Sequence, residues 1–156
     1  MGETPVTQTV ARAALRPLRR YARYAGRSSR MEYWSYTIAT NVLQIALAFL
    51  VGPISWILFI VLFIPSVAVL VRRLHDVDRS GWWALPMPLL SFLLLILYGL
   101  TGIMFGNEDG TKIVIGIGLT VPTMLALGIT LLVWTCRHGT PGSNRYGPPP
   151  SFVATA

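Results

Sequence analysis

The sequence predicts an all-α membrane protein: four transmembrane helices in a compact bundle, preceded by a short basic amphipathic helix. Three observations predict it. Hydrophobic residues make up 53% of the chain and charged residues only 12%, about half of what coats an ordinary soluble domain. Apolar runs recur at close to the roughly 20 residues needed to cross about 30 Å of hydrocarbon. The 13 basic residues stay out of those runs.

The basic residues also give an orientation. Arg12, Arg16, Arg19, Arg20, Arg23, Arg27 and Arg30 precede the first run, Arg72, Arg73 and Arg79 interrupt the chain midway, and Arg137 and Arg145 follow the last run. Four spans put all of these on one side, which the positive-inside rule makes cytoplasmic, with both termini. Lys112 alone falls on the far side. The formal charge of +7 therefore reads as topology and as attraction to an anionic phospholipid surface of the bilayer. No nucleic acid is expected, because no folded binding module accompanies the basic stretch. A homo-oligomer or a membrane-protein partner stays open.

The elements follow in order. Residues 1–14 read as a mobile tail. Residues 15–30 read as the amphipathic interfacial helix, with Ala14, Leu15, Leu18 and Ala22 on one side and arginines on the other. Pro17 places the start of that helix, since proline fits a first turn. Residues 31–150 form the membrane domain, with spans at about 33–51, 54–71, 82–105 and 113–136. Ser28 or Ser29 caps the first span and puts Glu32 in its first turn, where a carboxylate suits the helix dipole. Tyr33, Trp34 and Tyr36 suit the interface. Gly52-Pro53 makes a tight turn, and Pro65 a kink in the second span. A polar loop at 106–112 joins the last two spans. Gly116, Gly118, Thr120 and Gly128 read as close-packing positions and Pro122 as a second kink. A cytoplasmic strap over 137–150 is too rich in Gly and Pro for a helix, and 151–156 is expected to fray. The first apolar run begins too late for a cleaved secretory signal and reads as an anchor.

Chemistry is sparse. The one cysteine, Cys136, rules out a cysteine-built metal site, and His75, His138 and Asp76 lack diagnostic metal spacing. No cofactor is expected, and no serine-nucleophile elbow or phosphate-binding loop is present. No Asp, Glu, Lys, Arg or His falls within a span, which disfavours ion-coupled transport. Asn41 and Gln44 are the most polar residues there and read as interhelical hydrogen bonders.

Three segments gather the remaining polar residues. The first is Gly26-Arg27-Ser28-Ser29-Arg30-Met31-Glu32-Tyr33-Trp34. The second is Arg72-Arg73-Leu74-His75-Asp76 with Arg79-Ser80-Gly81-Trp82-Trp83. The third is Gly139-Thr140-Pro141-Gly142-Ser143-Asn144-Arg145-Tyr146-Gly147-Pro148. Together, and in this order, they resemble the bacterial inner-membrane family known as domain of unknown function 805, over about residues 15–150. The resemblance implies a small multi-span inner-membrane protein and assigns no activity. The family's tail usually ends Gly-Pro-Asp-Pro. Here Pro149 stands in place of the acid, so any role of that carboxylate is absent.

The topology brings the three segments to one membrane face. Arg27, Arg30, Arg72, Arg73, His75, Arg79 and Arg145 are then candidates to bind an anion such as a lipid phosphate. Glu32, Tyr33, Trp34, Asp76, Ser80, Gly81, Trp82, Trp83, Gly139, Gly142, Asn144 and Tyr146 are candidates for a structural motif. The same residues can instead lock the helix ends together without a ligand, Asp76 pairing with Arg72 or Arg73 at helical spacing. The leading reading is a non-enzymatic membrane component whose Arg/Trp cluster binds anionic headgroups or a partner protein. One alternative is a small carrier or channel, with a polar path past Asn41 and Gln44. Another is a lipid-phosphate-modifying enzyme using His75, which needs Glu32 and an arginine around one cavity.

Overall fold

The computed structural model describes residues 5–105 and 110–150. Their helices are α1 (Pro5–Arg19), α2 (Arg30–Val51), α3 (Ser55–Asp76), α4 (Pro86–Phe105) and α5 (Gly110–Cys136), with 3-10 turns at Gly52–Ile54 and Gly81–Ala84. The chain forms two units. One comprises Met1–Gly81 with Thr135–Ala156, the other Trp82–Trp134.

In the first unit α2 and α3 make an antiparallel hairpin. Ser29 caps α2 from an extended backbone, and its hydroxyl accepts from Glu32 N at 3.2 Å. Gly52 ends α2 at φ 60, a left-handed value that glycine reaches without Cβ strain, and its N–H bonds Ala48 O. Pro53 follows in the 3-10 turn and α3 starts at Ser55. Gln44 Nε2 donates to Ser55 O at 2.9 Å across this turn. At its other end α3 stops because Asp78 turns left-handed at φ 56. Leu74 O then accepts from Val77 N and Arg79 N, closing the last turn.

The hairpin is apolar and largely uncovered. Ile38, Val42, Ile45, Phe49 and Leu50 on α2, and Trp56, Ile57 and Ile60 on α3, are all exposed. A soluble protein buries such faces, whereas a lipid-facing helix leaves them open. Both helices have the length and apolarity of membrane spans.

Here the expectation of four transmembrane helices is corrected to two. Among the described residues only Arg30–Val51 and Ser55–Asp76 qualify as candidate spans of a five-helix all-α chain. Trp82 and Trp83 sit in the 3-10 turn, so α4 begins at Pro86 rather than at Trp82.

A helix was expected over 15–30. Instead α1 covers Pro5–Arg19, passes through Pro17, and gives way to turn and extended chain before α2. It packs against α2 and α3, with Ala13 and Pro17 buried and Leu15 and Leu18 exposed. The polar loop at 106–112 falls partly, and the tail 151–156 wholly, outside the described residues. Also outside are the side chains of Gly116, Gly118 and Thr120. In the second unit a Cβ on Gly128 would meet Met87 Cε at 3.7 Å, an ordinary contact that does not demand glycine.

Candidate functional site

The length and apolarity of the hairpin suit a bilayer, and its base, at Arg30 and Asp76, carries the side chains that are costly to desolvate. Arg72 and Arg73 are adjacent on α3, so they point about 100° apart and meet different partners. Both are fully buried.

Arg73 turns toward the end of α5 and the strap. Its Nε donates to Thr135 O at 3.0 Å, its Nη1 to Asp76 Oδ2 and its Nη2 to Arg137 O. Arg27 reaches the same carboxylate from the chain before α2. Its Nε donates to Asp76 Oδ1 at 2.9 Å, Nη1 to Gly142 O at 2.6 Å and Nη2 to Thr140 O at 2.6 Å. Asp76 thus stands between two guanidiniums, each of which also holds strap carbonyls. The Asp76 backbone carbonyl takes Thr140 N at 2.8 Å. The strap comes this close because residue 139 is glycine. A Cβ there would lie 2.7 Å from Asp76 Cγ.

Arg72 turns the other way. Its Nε donates to Ser28 Oγ at 3.1 Å and its Nη1 to Arg23 O. Glu32 Oε1 lies 3.6 Å from Arg72 Nη2, and Glu32 Oε2 lies 3.8 Å from Arg16 Nη1. The Ser28 hydroxyl donates to Glu32 at 3.0 Å. Arg72 Nη2 is buried without a hydrogen-bond partner.

His75 carries the third set of contacts. Its Nδ1 donates to Gly26 O at 3.2 Å, and its ring stacks on Tyr146 with centroids 3.8 Å apart and planes 3° from parallel. Asn144 Nδ2 donates to His75 O at 2.9 Å, while Asn144 Oδ1 accepts from Tyr146 N at 2.9 Å. The strap therefore turns at 144–147, closed by paired Asn144 and Gly147 backbone bonds. Gly142 adopts φ 72 within the strap. At Gly81 a Cβ would lie 2.6 Å from Val71 Cγ1 and 3.1 Å from His75 Nε2.

The outer residues are looser. Arg145 pairs with Asp78 at 3.0 Å, with both side chains about half exposed, and its guanidinium lies over the Tyr146 ring. Exposed Arg30 donates to His138 Nδ1 at 3.3 Å. Arg79 is exposed and Ser80 half-buried. Tyr33 meets Trp34 edge to face. Trp82 and Trp83 belong to the second unit, where Trp83 packs edge to face on Trp134. Of the predicted residues, Arg27, Arg73, His75, Asp76, Gly139, Gly142, Asn144 and Tyr146 come together directly, and Glu32 joins Arg72 beside them.

The sequence and the gathered segments agree with what known proteins show. The family described as "Protein of unknown function (DUF805)" matches residues 21–148. The chain belongs to the DUF805 family. It is 32% identical over 142 residues to the inner membrane protein YhaI of Escherichia coli (strain K12), covering 86% of this chain and 92% of that protein. It is 30% identical over 151 residues to the inner membrane protein YhaH of the same strain, covering 88% and 95%. No solved structure matches the chain. As a DUF805 member with two candidate spans it is a multi-pass bacterial inner-membrane protein.

Sequence reasoning missed several contributors. Thr140, Thr135 and Arg23 act through backbone carbonyls, which no side-chain motif announces. Arg16 and Tyr21 come from outside the three segments. One signal was available: Pro65 lacks an N–H, so the Val61 carbonyl needs another donor. Tyr21 Oη supplies it at 2.5 Å. Asn41 bonds only its own helix at Thr37 O, while Gln44 joins α2 to α3.

Proposed function

We propose that this protein is a non-enzymatic membrane component. Its buried arginines lock the base of the hairpin, and the exposed arginines of its N-terminal segment hold anionic phospholipid headgroups. One observation carries the reading. Arg27, Arg72 and Arg73 are buried and engaged by protein carbonyls and carboxylates. They are not offered to a ligand, so the anion-binding role passes to residues outside the lock. Arg12, Arg19, Arg23 and Arg30 are exposed, beside exposed Leu15, Leu18, Tyr21 and Tyr24. Guanidiniums interleaved with apolar side chains suit the headgroup layer, at about 1 kcal/mol per basic residue near an anionic surface. The positive-inside rule makes that side cytoplasmic.

The enzyme and carrier readings find less support. His75 is committed to Gly26 and Tyr146, and Glu32 to Ser28, Arg72 and Arg16. Asn41 and Gln44 spend their amides on backbone carbonyls.

Native mass spectrometry of the detergent-solubilised protein tests the proposal. The wild type should retain phosphatidylglycerol in preference to phosphatidylcholine. The triple variant Arg12→Gln, Arg19→Gln, Arg23→Gln should lose that preference while keeping its fold. Equal retention by both proteins would overturn it.

A further inference from the structure

A proline inside a spanning helix leaves the carbonyl four residues earlier without its donor, and a bilayer has no water to replace it. On α3 that carbonyl is Val61 O, orphaned by buried Pro65. Its donor is Tyr21 Oη, from the segment just past α1. The neighbouring carbonyl, Leu62 O, receives Ser66 Oγ at 2.7 Å and Tyr36 Oη at 3.4 Å. The gap in the ladder is thus filled by side chains, and its most distant contributor belongs to the basic N-terminal segment. Val61 lies about three helical turns from Arg72 on α3. Close by in sequence, the Arg23 carbonyl accepts from Arg72 Nη1, and Ser28 N donates to Arg72 O at 3.0 Å. The segment between α1 and α2 is therefore stitched to α3 both at the proline gap and at the lock.

We propose that Tyr21 is a removable brace on the Pro65 gap of α3, and that anionic lipid held by the arginines flanking it governs whether the brace is seated. This rests on the lipid reading above and adds its regulation. Arg19 and Arg23 are exposed and Arg20 half-buried on either side of Tyr21. Seating Tyr21 against α3 fixes the depth of their backbone, so the seated and free forms present these guanidiniums at different heights to the headgroup phosphates. Phosphatidylglycerol that binds the seated form better shifts the population toward it. By reciprocity, removing the brace changes lipid affinity by the same factor.

The test uses the full-length protein in nanodiscs of phosphatidylcholine, with and without phosphatidylglycerol, and reads the Val61 carbonyl by carbon-13 NMR. In the wild type the Val61 resonance should shift when phosphatidylglycerol is present. In Tyr21→Phe it should sit at the position of a donor-free carbonyl in both lipids. The same substitution should weaken phosphatidylglycerol binding about 5-fold, the low end of ordinary coupling. An unchanged wild-type Val61 resonance in the two lipids, with phosphatidylglycerol still preferred, overturns the coupling and leaves the lipid reading standing. A wild type with no preference for phosphatidylglycerol overturns both. The wild-type comparison needs no variant, so a folding defect in Tyr21→Phe does not blunt it.

Discussion

Two buried carboxylates hold the base of the hairpin, and they do so differently. Asp76 accepts one direct bond on each oxygen, from Arg27 and from Arg73. Both guanidiniums continue into the strap. Among the described residues Glu32 takes a direct side-chain bond from Ser28, and its two arginines stand at 3.6 and 3.8 Å. Coulomb attraction acts at either separation. Directional, charge-assisted hydrogen bonding needs the shorter one. Asp76 therefore fixes the geometry of three chain segments, whereas Glu32 mainly offsets charge. Buried Arg72 Nη2, which faces Glu32 at 3.6 Å without a hydrogen bond, shows where the second centre falls short of the first.

Substitutions can break or sharpen this contrast. Asp76→Ala should have the largest effect, about 3–5 kcal/mol of destabilisation, because it leaves two buried guanidiniums without their counter-ion. Equilibrium unfolding in mixed detergent micelles measures it, and proteolysis should then nick the strap near 139–147. Gly139→Ala should follow at about 1–3 kcal/mol, as its methyl meets the Asp76 carboxylate. In an Asp76→Ala background it should cost much less, and a double-mutant cycle reads that coupling. Glu32→Gln should cost about 1–2 kcal/mol in the same assay, since the Ser28 bond survives. A loss equal to that of Asp76→Ala would erase the distinction between the two centres. Arg145→Ala should change stability by no more than about 1 kcal/mol, because its pair with Asp78 is half exposed.

Much of this base is legible in the sequence. The Ser29 cap with Glu32 in the first turn follows from local chemistry, and so does the Gly52-Pro53 turn. The gathering of the three segments followed from the cost of placing charge in lipid. The pairing did not. Helical spacing allows Asp76 to meet Arg72 or Arg73, and only tertiary packing turns Arg72 away toward Ser28. The engagement of Arg27 and Arg73 by backbone carbonyls is also invisible in the sequence, because carbonyls carry no side-chain signature. The span count erred for another reason. Hydropathy runs do not mark helix ends, so α4 starts at Pro86 beyond both tryptophans, and among the described residues only α2 and α3 meet both the length and the apolarity of a span. In α1 the arginine pattern suggested an interfacial helix, yet proline in its last turn was tolerated rather than starting it.

The strap is the last part of the lock to be synthesised. A chain emerging from the ribosome carries Arg27, Arg73 and Asp76 long before Thr140 and Gly142 exist to meet them. Until then the Asp76 carboxylate is the one partner that the two guanidiniums share. The closing bonds therefore come last: a chain without Thr140 and Gly142 keeps Asp76 as the counter-ion of Arg27 but loses two of the carbonyls that hold its guanidinium.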